Sequence, residues 1–316
     1  MTYSSGGLIQ ATDYNGFVST TAGANVNATW NTTYGQTAVG TVSAAGTVTA
    51  TQWASLVNTI SSQASHQGTT ITARSAPTTG TLVSVLAAVN TDVTATFDNR
   101  YVAVAVGSQF TSWSGTNSKT AGTTGATWTI TFTNTVTFAS SAAAQYFFNA
   151  GGLVKIDVAK SATGQTGDPE WNDLATTLCG DIWISGLASA HSIAGTSYTG
   201  VTKIGGTGTP NTLTTGNGWD ALTAGGAAVI VYKQFADTAP YTANFIQHSL
   251  AKNAGSTALT ITTLWSASDG DPISGGTAAS GATPGTAPCT IVTYYPPSST
   301  YLSASWGTPS VAATTA

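Results

Sequence analysis

The stretch Ala144-Gln145-Tyr146-Phe147-Phe148-Asn149-Ala150-Gly151-Gly152 is the one place where three aromatic residues run together in a chain otherwise dominated by Thr, Ala, Gly and Ser. Read as extended backbone, its side chains alternate between two faces, so Tyr146 and Phe148 share one face and Phe147 takes the other. Residues 140–145 then make at most one helical turn leading in. Asn149, Gly151 and Gly152 supply a turn, and residues 153–159 (Leu-Val-Lys-Ile-Asp-Val-Ala) leave it as a strand. The stretch is thus expected to be the core junction of a β domain, with an interface to a partner chain as the other reading.

Outward from this junction the grammar is mostly period two. Residues 101–106, 127–132 and 135–138 alternate as strands do, with the Gly/Ser/Thr-rich 107–126 as an exposed loop. Residues 168–178 (Asp-Pro-Glu-Trp at the start) read as a helix whose acids complement its dipole. Further strands are expected at 182–184, 227–235, 242–251, 259–267, 290–295 and 301–306, separated by turns such as Asp237-Thr238-Ala239-Pro240. The last eight residues are expected to fray. Short strands at this spacing predict a mainly β protein, an antiparallel β-sandwich over 101–316.

The N-terminal region carries a repeat. Gly7–Thr20 and Gly46–Thr59 align at an offset of 39, each with a short extended piece, a Thr able to cap a helix, an aromatic and an apolar pair. Ile9, Tyr14 and Phe17 in the first copy correspond to Val48, Trp53 and Leu56 in the second. Only the second copy runs on as a helix, from about 51 to 64. Two copies make a paired docking element over 1–76 or two small helices of an ordinary domain; they are too few for a solenoid. Residues 77–100 are a connector. Its segment 79–99 reads as a helix with an apolar stripe at Leu82, Leu86, Val89, Val93 and Phe97, which fits a coiled coil between copies or packing on its own chain.

Composition excludes several roles. With 8 Lys+Arg and 12 Asp+Glu the chain is 6% charged, against roughly 25% in ordinary soluble domains. Such a surface is weakly self-repelling and suits a subunit of an assembly. A net charge of −4 without a basic cluster argues against nucleic acid. No apolar run approaches the roughly 18 residues of a membrane span, and Met1-Thr2-Tyr3-Ser4-Ser5 lacks the start of a signal peptide, so the chain is expected to be made in a cytoplasm.

No catalytic constellation stands out. His66, His191 and His248 are far apart and show no metal-ligand spacing. Asp168, Glu170 and Asp173, and likewise Asp269 and Asp271, invite a calcium reading, but neither group shows a third convergent ligand, and capping or turn formation is preferred. No metal or other cofactor is expected. A single Glu gives no carboxylate pair for glycoside cleavage. Trp113, Trp128, Trp171, Trp183, Trp219, Trp265 and Trp306 are candidates for sugar stacking, although most are needed for the core. Cys179 and Cys289 read as buried thiols, with one disulfide as the alternative.

Three motifs together carry a resemblance: Gly-Gly-Leu-Ile-Gln-Ala-Thr-Asp-Tyr-Asn (6–15), Thr-Val-Thr-Ala-Thr-Gln-Trp-Ala-Ser-Leu-Val-Asn (47–58) with the downstream Ser-His-Gln-Gly, and Tyr-Phe-Phe-Asn-Ala-Gly-Gly-Leu-Val-Lys-Ile (146–156) followed by a Trp-containing helix. They resemble virion structural proteins of tailed bacteriophages, of the tail-fibre or baseplate-associated type, over roughly the first 190 residues. The resemblance implies a non-enzymatic particle protein that docks by its N-terminal region to other virion proteins and forms a homo-oligomer, a trimer if it is a fibre. Alternatives are a head or neck decoration or collar fibre protein, and a carbohydrate-binding module that recognises a host surface glycan.

Overall fold

The computed structural model describes residues 10–19, 23–76, 78, 86–113, 127–160, 168–268 and 289–315. The N-terminal part is helical: α1 (Ala11–Val18), a π-helical turn (Ala28–Thr33), α2 (Ala50–Gln67) and α3 (Leu86–Asp98). There follow β1 (Phe110–Trp113), β2 (Trp128–Thr137), α4 (Ser141–Asn149), β3 (Leu153–Ala159) and α5 (Asp168–Asp173), which continues as a π-helix over Leu174–Cys179. The remaining strands are β4 (Asp181–Ile184), β5 (His191–Ile193), β6 (Thr196–Tyr198), β7 (Val201–Ile204), β8 (Thr212–Leu213), β9 (Val229–Phe235), β10 (Phe245–Lys252), β11 (Ala258–Ala267), β12 (Cys289–Tyr295) and β13 (Ser310–Thr315). One antiparallel sheet has the order β1-β12-β3-β4-β7 and the other β13-β2-β11-β10-β9-β8, while β5 and β6 form a separate hairpin. Side chains of both sheets meet in one core, among them Phe132, Leu259 and Trp265 from the larger and Ile156, Ile182 and Val292 from the smaller. The protein is mainly β and sandwich-like, with its N-terminal helices ahead of the sheets.

The aromatic stretch is helical, which corrects the extended reading. Ser140 caps α4, its Oγ accepting from the Ala143 N–H at 3.0 Å, and three alanines with high helix propensity follow. Successive helical residues are about 100° apart, so Phe147 and Phe148 both reach the core, while Tyr146 lies half-buried beside Gly35. Asn149 closes the helix and its Nδ2 donates to the Thr33 carbonyl at 3.2 Å. Gly151, at φ 95°, occupies the region that favours glycine; with Gly152 it turns the chain into β3.

Other expectations change for identifiable reasons. Residues 101–106 form no strand, because their hydrogen bonds go to different segments: the Ala103 N–H to Ser192 and the Val104 N–H to His66. The two strands expected over 127–138 are one, since Thr133-Asn134 continues the ladder rather than turning it. The expected loop 107–126 contains β1. Residues 301–306 are turns that bury Leu302 and Trp306, and the expected fraying end is instead β13, paired along β2 from Ser310↔Thr137 to Thr315↔Phe132. The β5–β6 hairpin, β7 and β8 went unforeseen.

Within the helical part, the N-cap of the first copy is Gln10 rather than a threonine. Asp13 reaches back to the Gln10 N–H at 3.1 Å, as Gln52 does to the Thr49 N–H at 2.8 Å. α2 runs to Gln67, three residues past the expected end, before Gly68 at φ 71° stops it. That last turn is the joint to the β domain. His66 Nε2 lies 3.0 Å from the Ala150 carbonyl, and Gln67 Nε2 donates to the Tyr34 hydroxyl and the Thr96 carbonyl. Tyr34 itself is fully buried in the β-domain core.

Candidate functional site

The residues expected to dock are spent inside the chain. Tyr14, Phe17, Trp53, Leu56, Val89 and Val93 share one buried cluster, with Val48 partly buried against it. Docking through these side chains is therefore corrected, because a face already packed offers no apolar surface to a partner. Val89 and Val93 of the α3 stripe likewise pack on their own chain. Ile9 and Leu82 lie outside the described residues, as does the side chain of Leu86. Of the junction residues, Phe148 stacks on Trp219 at 5.2 Å, and Phe147 meets Phe148 edge-on at 5.1 Å.

An apolar surface does remain open, at the β8 edge of the six-stranded sheet. Leu213, Val229 and Ile230 are 37%, 38% and 44% exposed. β8 pairs with β9 at only Thr212↔Lys233 and Leu213↔Tyr232, and among the described residues no strand pairs with its outer side. In β9, Tyr232 faces His248 and Ile230 faces Ser249, so Val231 is the extra residue of a β-bulge. The bulge turns Val231 and Tyr232 both inward, while Val229 and Ile230 run beyond the core.

Burial holds His248, His66 and Cys179 neutral. His248 is buried, stacked on Tyr232 and 3.0 Å from Thr263 Oγ1; burial pulls its pKa down to about 3. Burial likewise lowers His66 to about 4, against a smaller opposing effect of its bond to Ala150. Cys179 and Cys289 are buried thiols that no disulfide joins to each other; burial pushes Cys179 up to about 12. Trp171, Trp219, Trp265 and Trp306 are buried. Trp183 packs between Tyr198 and Tyr295, and the side chains of Trp113 and Trp128 lie outside the described residues.

One polar constellation combines residues distant in sequence. Carboxylate oxygens of Glu170, Asp173 and Asp237 all lie within 4.8 Å of one another. Glu170 is 8% exposed, and its Oε1 has no hydrogen-bond partner among the described residues. Burial raises its pKa, and the charges of Asp173 and Asp237 add to the rise, against hydrogen bonds from Thr238. Asp173 makes no side-chain capping bond to the π-helix that follows it. Asp237 also lines a cleft of about 680 Å³ with Gln234, whose Oε1 is a second buried acceptor lacking a partner. Gly208 closes against the Gln234 amide, where a side chain would come within 2.8 Å. Asp269 and Asp271 lie outside the described residues. The sequence showed Glu170 and Asp173 three apart on one turn; it gave no sign that the β9–β10 connection brings Asp237 to them.

Among the described residues no helix is long and apolar enough to cross a membrane. Comparison with protein-family models, curated proteins and solved structures returned no match for this chain.

Proposed function

We propose that the protein is a non-enzymatic structural component of a tailed-phage virion, of the tail-fibre or tail-associated type, that works as a homo-oligomer. The reading rests on the three motifs of the first 156 residues and on a surface nearly free of charge. The observation that carries it is the open edge at Leu213, Val229 and Ile230. An uncharged apolar rim is complementary to its own copy, since burying it against itself removes apolar area from water without juxtaposing like charges. An unpaired strand edge beside it adds backbone groups that a second chain can satisfy. Attachment to the particle runs through the outer surface of the helical part, whose apolar residues are turned inward.

Sedimentation of the purified chain tests self-association, and a reconstruction of the particle tests its place. An oligomer dispersed by Ile230→Lys, with unfolding unchanged, is the expected result. A monomer absent from purified particles overturns the reading, and density on the head or neck would make it a decoration or collar protein.

A further inference from the structure

We propose that Glu170, Asp173 and Asp237 form a calcium-binding site at the rim of the Gln234 cleft. Hard cations take oxygen ligands at 2.3–2.6 Å for Ca2+, so two ligands of one ion stand at most about 5 Å apart. The three carboxylates meet that limit pairwise. Mg2+, at about 2.1 Å in a near-ideal octahedron, sets a tighter limit of about 4.2 Å.

The independent observation is the state of Glu170. A carboxylate this buried needs its lone pairs satisfied. Among the described residues its Oε1 has no hydrogen-bond partner. Among the described residues no Lys or Arg pairs with any of the three acids; the ion pairs are Arg74–Asp92 and those of Lys155 with Asp157 and Asp181. Three acids thus converge with no cation of the described residues beside them. Their graded exposure, from buried Glu170 through half-buried Asp173 to exposed Asp237, leaves the outer side open to water ligands and to ion entry. Because Glu170 and Asp173 belong to the helical segment after β3 and Asp237 to the β9–β10 connection, the ion would clamp two elements that no covalent bond joins.

Thermal unfolding of the EDTA-treated full chain with about 5 mM CaCl2 or MgCl2 tests the site, since three acidic ligands place affinity at roughly 10⁻⁴–10⁻³ M. CaCl2 is expected to raise the midpoint, and Tb3+ to show emission sensitised by Trp171, the neighbour of Glu170. Glu170→Gln and Asp237→Asn are each expected to weaken binding at least about tenfold, whereas Asp98→Asn, on an exposed helix end, leaves it intact. Without metal, Glu170→Gln should be as stable as the parent or more so, because it removes a buried charge. Asp237 is exposed, so its variant keeps the test sound if Glu170→Gln folds poorly. A calcium shift retained in both variants, or absent from the parent, overturns the site, and an equal shift with MgCl2 overturns the calcium assignment.

Discussion

Tyr14 and Trp53, 39 residues apart and at the same place in the two copies of the N-terminal repeat, meet edge to face at 5.4 Å. The two copies therefore complete each other. Tyr14 also sends its hydroxyl to the Gly40 and Gln52 carbonyls, so the first copy is tied to the start of the second helix. The apolar face that each copy presents is the other copy's partner, with Val89 and Val93 of α3 closing the cluster.

Removing that contact should unfold the helical part first. Trp53→Ala is expected to cost about 3–5 kcal/mol, as for other buried aromatics, while Tyr14→Phe should cost only about 1 kcal/mol for its hydrogen bonds. Urea titration followed by far-UV circular dichroism separates the two.

Phe148→Ala should likewise cost about 3–5 kcal/mol, because the ring is 2% exposed and stacked on Trp219. The tryptophan emission of the folded protein should shift with it. Unchanged stability with lost assembly would make α4 an interface instead of a core element.

Acid should destabilise the protein through its histidines. His66 and His248 have folded-state pKa values of about 4 and about 3, below the ordinary 6.5. The unfolded chain therefore binds more protons below pH 6.5, and stability present above that pH is lost as pH falls towards those values. Stability from urea titrations should be lower at pH 5 than at pH 7 by roughly 3–4 kcal/mol. His248→Gln should flatten the slope.

Truncation after Pro309 should be costly although it removes only a short tail. β13 covers the outer edge of β2 over six residue pairs, and an uncovered edge is a template for aggregation. Light scattering of the truncated chain on mild heating is expected to rise before that of the parent.

The alternating segments 153–159, 229–235, 245–252, 258–267 and 289–295 were legible in the sequence, since period-two burial in a two-layer fold writes itself into each strand locally. The paired helices were legible too, although the first starts from Gln10 rather than from a threonine. Only the tertiary structure decided whether Phe147 and Phe148 sit on a helix or a strand, as three aromatics in a row fit either period and the preceding alanines carry the weight. The same holds for residues 310–315, whose small side chains show no amphipathic pattern and whose strand exists because β2 needs a partner. It also decided that Tyr14 and Trp53 spend their faces on each other, and that Asp237 stands beside Glu170. Contacts between residues dozens of positions apart leave no local pattern; they arise from which surfaces remain to be buried once the local elements have formed.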